Sequence, residues 1–380
     1  MGSPVRDGLY RARRVLTMDR NRPVVDDAGI VVRDGRIAAL DSFSVLRGEE
    51  LVHDYGPAVL CPGLINAHAH LGLSYLGGRV PQGLGFAAWA DRLFSLMGEP
   101  LSLPELTRTV AGMRDAGVVC VADIVGRDGE WIQKIVEDAG LGALFFREIS
   151  GRGRGPGKDL AMPDQWSLAV HALYSTDGEC ARRVKAECRK LNAPFSMHLA
   201  EVPGENDLLS SGRGELADFL RARRILPRNF AAPGRSAVRF AADLGLLDAC
   251  TLAVHCVHVA DRDLSILAES GATICLCPRS NAWIGVGVAP AQKFWAHNIP
   301  LCLGTDSLAS NTDLNLWAEV HAVRRLLPAT VSLWDLLALV TINPARVLGL
   351  DHEYGLLAAG RPARWSVLPP EYAQMSPADF

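Results

Sequence analysis

The sequence predicts an α/β fold: a (β/α)8 TIM barrel carrying a small discontinuous β domain formed by the two chain ends. Three observations predict it. Between residues 58 and 344, eight short apolar runs alternate with helical patterns. Those runs are hydrophobic almost throughout, as expected of parallel strands covered on both faces. Eight such units over roughly 290 residues also fit the usual size of a barrel. The expected domains are 1–57 with 345–380 as a small β-sandwich, and 58–344 as the barrel.

The elements follow in order. In VVDDAGIVVRDGRIAAL, two β-rich runs flank Asp34-Gly35, a strong hairpin signal. The barrel runs are AVLCPGLINA, VVCVADIV, ALFFREI, SLAVHALYS, APFSMHLAE, CTLAVHCVHV, ATICLCPRSN and PLCLGTDSLA. Helical patterns between them include PELTRTVAGMRDAG, WIQKIVEDAG, ECARRVKAECRKLNA and ADRDLSILAESG, several of which stop at glycine. The tail GLLAAGRPARWSVL returns to strand-like runs and is expected to pair with the N-terminal strands.

Composition narrows the function. Hydrophobic residues make up 49% and charged residues 21% of 380, so disorder and coiled coil are excluded as whole-chain descriptions. The net charge of -3 lacks the basic excess of a nucleic-acid-binding protein. A small-molecule substrate is expected. No apolar run is long enough to predict a membrane span, and the N-terminus lacks the pattern of a signal peptide. The nine cysteines, several of them in apolar runs (Cys120, Cys250, Cys256, Cys275, Cys277), are expected to be reduced, buried and cytoplasmic. The loop GRGRGPGK (151–158) lacks the spacing of a phosphate-binding loop.

Barrel active sites gather at the C-terminal ends of the strands, and polar residues cluster there. The first run ends in His68-Ala69-His70, the fifth in His198-Leu199-Ala200-Glu201, and the eighth in Asp306. Residues two apart on a strand share a side, so His68 and His70 can converge on one ion. With His198 and Asp306 they make a three-nitrogen, one-oxygen set suited to a catalytic Zn or Fe ion with an open position. Such an ion activates water near neutral pH. Glu201 is then the candidate proton handler, and His255, on the sixth strand, the residue that orients the water. His258 is expected to be structural. Only five residues are lysines, Lys134, Lys158, Lys185, Lys190 and Lys293, and none stands at a strand end. That argues against a carboxylated-lysine metal pair and for one ion.

These motifs, PGLINAHAHL (62–71), HLAE (198–201), HCVH (255–258) and LGTDSLASN (303–311), resemble those of the amidohydrolase superfamily, in its cytosine deaminase and chlorohydrolase-like branch. The resemblance implies a single divalent metal and hydrolytic deamination of an aminated ring. It matches His68, His70, His198 and Asp306 to the ligands, Glu201 to the proton shuttle and His255 to the orienting histidine. The stretches HLGLSYLGGRVPQGLGFAAWADRL, FREISG, GRGELADFL and LAESGATICLCPRSN are similar to the aminodeoxyfutalosine deaminases of menaquinone biosynthesis. The sequence departs from that group at Gly72, where an acidic residue is common, and in PARWSVL near the C-terminus.

Candidate substrate contacts are His171 at the end of the fourth strand, Arg147 and Glu148 at the end of the third, Arg279 with Asn281 after the seventh, and Trp89 with Phe86 after the first. An arginine among these is a candidate partner for a substrate carboxylate. Alternatives stay open: another adenosine-type nucleoside such as S-adenosylhomocysteine, a free base or triazine, a cyclic-amide or C–Cl bond, or a metal-free scaffold. The oligomeric state is open, with a homo-oligomer among the possibilities.

Overall fold

The computed structural model describes residues 5–126, 128–151, 162–163, 165–227 and 229–374. Most of the loop 151–158, including Lys158, lies outside them.

The chain ends build one six-stranded sheet. Its strands are β1 (Gly8–Leu16), β2 (Val24–Arg33), β3 (Arg36–Ser42), β4 (Leu51–Asp54), β5 (Val59–Pro62) and, far along the chain, β14 (Trp365–Val367). The β2–β3 hairpin turns at Asp34-Gly35, both with positive φ (51° and 70°). That matches the twist a two-residue hairpin requires. β14 runs antiparallel to β5, and Pro362 bridges to Arg36, so the tail closes on the N-terminal strands.

The first barrel run splits in two. β5 belongs to the small sheet, and β6 (Leu64–Ala69) opens the barrel. Gly63 makes the corner. A Cβ there would lie 2.3 Å from Val119 Cγ1 on the next barrel strand, so only glycine lets the chain pass.

β6 is followed by β7 (Val118–Val125), β8 (Gly142–Ile149), β9 (Trp166–Val170), β10 (Phe195–Leu199), β11 (Thr251–His255), β12 (Thr273–Leu276) and β13 (Leu301–Leu303). All eight pair in sequence order, in parallel. Each coincides with one of the eight runs read from the sequence. Their alternating residues divide the core. Ile65, Cys120, Leu144, Phe146, Ala169, Leu252, Val254, Cys275 and Cys302 fill the barrel. Leu64, Val121, Phe145, Leu168, Phe195 and Ala253 pack outward against the helices. The barrel closes where Ala69 bridges Asp306. Further down, the seam is filled by Leu339 and Val340, whose carbonyls accept from Leu303 and Ile65 N–H.

Lys134, Lys185, Lys190 and Lys293 all lie in helices, as the sequence suggested. The cysteines are free, and all are buried except Cys250, which is exposed. It falls in the turn before β11 rather than inside the strand. Among the described residues, no helix is long and apolar enough to cross a membrane.

Gly63→Ala should destabilise the fold by overpacking, by about 1–3 kcal/mol. Thermal denaturation should show the midpoint falling by several degrees. An unchanged midpoint would mean that Val119 and the corner move aside freely.

Candidate active site and metal centre

The histidines of β6 reach the barrel interior through a bulge. Asn66 pairs with Val121, but Ala69 pairs with Asp123, so three steps on β6 oppose two on β7. The extra residue reverses the alternation. Ile65 and Ala67 point inward, and after the bulge His68 and His70 do too, while Ala69 packs outward. A bulge re-aims side chains in this way, often beside an active site.

His198 lies on β10. Its nitrogen and those of His68 and His70 all lie within 4.8 Å of one another. Asp306 Oδ1 stands 3.6 Å from His70 Nε2 and 3.9 Å from His68 Nε2. The three-nitrogen, one-oxygen set expected from the sequence is therefore assembled in one place.

The surrounding bonds leave the right atoms bare. His198 Nδ1 donates to the His171 carbonyl at 3.0 Å, which frees Nε2. Asp306 Oδ2 accepts from Ser280 Oγ (2.5 Å) and Ser310 Oγ (3.1 Å), which turns Oδ1 toward the histidines. His68 is 1% exposed, yet neither of its ring nitrogens has a partner. Orphaned buried nitrogens are costly unless something binds them. Burial, with neighbouring imidazoles second, holds the pKa of His68 and of His198 well below 6.5, so both are neutral and able to ligate. For Asp306, burial raises the pKa, but His70, His255 and the Ser280 hydroxyl outweigh it and hold the carboxyl low. This donor set fits a divalent zinc or iron ion.

Two further residues face the same space. Glu201, two residues past β10, places Oε1 3.6 Å from Nε2 of His255. His255 Nδ1 donates to Asn281 Oδ1 at 2.9 Å. The backbone is left-handed at Ala200 (φ 50°), His255 (71°), Cys256 (49°) and Asp306 (58°). Such conformations cost of order 1–3 kcal/mol each and gather at functional sites.

The expected substrate contacts divide. Glu148 shares the inward side of β8 with Leu144 and Phe146, and its Oε1 is buried without a partner. It comes within 4.8 Å of ring nitrogens of His171 and His198. His171 Nδ1 donates to Ser175 Oγ at 2.7 Å, whose own hydrogen goes to the Ala172 carbonyl, so His171 Nε2 is free to accept. Arg147 is exposed, on the outward side of β8 with Phe145. Arg279 is occupied: its guanidinium pairs with Asp313 at 2.8 Å and lies 3.6 Å from the buried Glu319 carboxylate. Trp89 Nε1 donates to the Ala309 carbonyl, tying the helix Phe86–Leu96 to the loop after Asp306, and Phe86 packs edge-on to Tyr174 and Phe219. His258 Nε2 donates to the Val286 carbonyl at 2.7 Å.

Sequence reading missed several residues that hold the site. Ser280 and Ser310 orient Asp306. Asn66 Nδ2 donates to Thr305 Oγ1 at 2.7 Å, beside Asp306. Asp123 Oδ1 accepts from Leu71 N–H, fixing the turn after His70, and burial pushes its pKa up. Tyr174, 3% exposed, has its hydroxyl pKa raised by burial and then by Glu201, Glu205 and Glu148. The available signal was polar side chains inside otherwise apolar runs.

The fold and site together are those of a (β/α)8 barrel with a candidate metal centre at the C-terminal ends of its strands. The amidohydrolase family model matches residues 165–378, more than half of the sequence, and the chain belongs to that family. It is 28% identical to a 5-methylthioadenosine/S-adenosylhomocysteine deaminase of Nitratidesulfovibrio vulgaris, over 94% of this chain and 82% of that one. In fold it is similar to Helicobacter pylori aminofutalosine deaminase in complex with methylthio-coformycin, with a TM-score of 0.80 and 21% identity over 94% of this chain and 91% of that one. It is also similar to an adenosine deaminase from Xanthomonas campestris with bound zinc, with a TM-score of 0.78 and 21% identity over 95% and 84%.

Two outcomes are expected. Titrating zinc into chelator-stripped protein should raise its melting temperature, because a ligand of the native state stabilises it. His198→Ala should lose most of that rise and most of the metal found by elemental analysis; full metal content would remove His198 from the ligand set. The second outcome concerns pH. In the metal-free protein the pKa values of His68 and His198 lie below the unfolded value of 6.5. As pH falls through that value the unfolded chain takes up protons first, so stability is present above it and lost on acidification. Urea midpoints of stripped protein should therefore drop between about pH 7.5 and 5.5. A flat profile would contradict the buried, neutral state of these rings.

Proposed function

We propose that this chain is a divalent-metal-dependent hydrolytic deaminase acting on the adenine ring of a nucleoside. The first candidate substrate is 6-amino-6-deoxyfutalosine, converted to futalosine and ammonia in menaquinone biosynthesis within the cytoplasm. The supporting observation is the convergence of His68, His70, His198 and Asp306 beside the Glu201–His255 pair.

His68, His70, His198 and Asp306 would hold a zinc or iron ion. When bound, such an ion supplies Lewis acidity that makes water a competent nucleophile near neutral pH. The protein's own groups do the rest. Asp306 Oδ1 and His255 Nε2 would orient the attacking water, and Asn281 fixes the His255 ring. Glu201 gives a proton to the ring nitrogen next to the carbon that bears the amine, which makes that carbon electrophilic. Water oxygen bonds to the carbon as one of its protons passes to Glu201, replacing the one given to the ring nitrogen; the second water proton goes to the amine by way of Glu201, the C–N bond breaks, and ammonia leaves. His171 Nε2 and the unpartnered Glu148 oxygen suit hydrogen-bonding groups of the substrate beside the reacting ring, and Trp89 and Phe86 form the apolar wall on the helix that follows β6.

A second reading is favoured by the relative named above and by the engagement of Arg279. With that guanidinium paired to Asp313 and close to Glu319, a substrate without a benzoate, such as 5′-methylthioadenosine or S-adenosylhomocysteine, suits the site equally.

Purified metal-loaded protein should release ammonia from at least one of these nucleosides, followed by chromatography of the inosine-type product. Glu201→Gln should keep its metal and lose about 10²–10⁴-fold in kcat, the usual worth of general acid–base catalysis. Full turnover by that variant would sink the shuttle assignment.

A further inference from the structure

Glu205 is buried to 0% exposure, and its carboxyl oxygens take up backbone N–H groups. Its position follows from a tight turn. Pro203-Gly204 stands at the centre of a β-turn closed by Glu205 N–H to the Val202 carbonyl (3.2 Å), and Gly204 has φ 82° and ψ -1°. Proline followed by a glycine of positive φ is the signature of a type II turn. The turn folds the chain back beneath its own strand end. There Glu205 Oε1 accepts the Ala200 N–H at 3.2 Å, and Oε2 accepts the Glu201 N–H at 3.1 Å.

Each oxygen of one carboxyl thus holds one of two successive peptide N–H groups. The first belongs to a residue in the left-handed conformation, and the second belongs to Glu201 itself. Ala200 is further pinned because its carbonyl accepts from His258 N–H at 2.7 Å. A buried carboxyl is costly, and burial pushes Glu205 up to about 8 despite these backbone donors. A turn needing only two satisfied N–H groups would be served by an ordered water without burying a carboxyl. The geometry points instead to a dedicated clamp on the strand end that carries the proton shuttle.

We propose that Glu205 is a positioning residue for catalysis: by clamping the Ala200 and Glu201 N–H groups it fixes the strand end that aims the Glu201 carboxyl toward His255. It acts through Glu201 and does not touch the substrate. The proposal rests on the assignment of Glu201 as proton shuttle.

The test is a double-mutant cycle in the metal-loaded enzyme with Glu205→Gln, Glu201→Gln and the pair. Glutamine keeps the shape but replaces one acceptor with a donor facing a donor. Glu205→Gln should lower kcat by about 10–100-fold, with KM changed less than about twofold and metal content unchanged. In the Glu201→Gln background the same substitution should have almost no further effect, because the group it positions is gone. A purely structural role would lower the residual activity by the same factor in both backgrounds, and that result would overturn the proposal. So would an unchanged kcat in Glu205→Gln. If the glutamine variant does not fold, Glu205→Asp, which keeps both oxygens but withdraws them by one methylene, is put through the same cycle with the same criteria. Failure of the shuttle assignment is distinguishable, because it appears as full activity in Glu201→Gln alone.

Discussion

The site depends on how the barrel is closed. The first and eighth strands meet at His68, whose carbonyl accepts the N–H groups of both Thr305 (3.0 Å) and Asp306 (3.1 Å), while His70 N–H reaches back to the Asp306 carbonyl. Closure therefore brings two histidines and the aspartate into register by backbone bonds. Gly304 allows the approach: a Cβ there would stand 2.7 Å from His68 Cβ and 2.8 Å from its carbonyl oxygen. The donors are set before any ion arrives, which is what preorganisation requires.

Around the seam, strain is held by over-determination. Left-handed residues at the ends of β10 and β11 and just past β13 would relax if they stood alone. Cys256 N–H bonds the Leu199 carbonyl, His258 N–H the Ala200 carbonyl, and Asp306 N–H the His68 carbonyl. One short helix, Pro278–Ile284, serves two functional groups at once. Ser280 orients Asp306, and Asn281 orients His255. Its own start is fixed where Glu319, buried and pushed up to about 8 by burial, accepts the Arg279 N–H. The Arg279 guanidinium is thereby part of the same scaffold.

The eight strands were legible because each is a short, nearly unbroken apolar run ending in punctuation. The candidate ligand cluster was legible because its members stand at run ends: His68, His70, His198 and Asp306. What sequence could not give is the bulge that turns His68 inward, since alternation alone puts His68 on the side opposite Ala67. Nor could it separate Arg147 from Glu148, where one residue of register decides which faces the interior. Arg279 looked free because its partners lie at 313 and 319, in a loop and helix whose folding-back has no local pattern. Glu205 was invisible for the opposite reason. Four residues beyond Glu201 it reads as an ordinary polar helix start, and only the turn at Pro203-Gly204 buries it.

How many ions the candidate centre would hold turns on the chemistry of His198. Two overlapping donor sets exist here: His68, His70 and His198, and Glu148, His171 and His198. Both need His198, whose Nδ1 is committed to the His171 carbonyl, so one lone pair on Nε2 serves either set but not both. A bridging group is needed to hold two ions close together, and an imidazole with one bare nitrogen cannot bridge. A carboxylated lysine, which could bridge a pair of ions, is missing from the described strand ends. The first set also contains the orphaned nitrogens of His68 and has the oriented oxygen of Asp306 beside it, and the second has neither. A single ion at the first set would satisfy the buried donors and would leave Glu148 and His171 for a substrate.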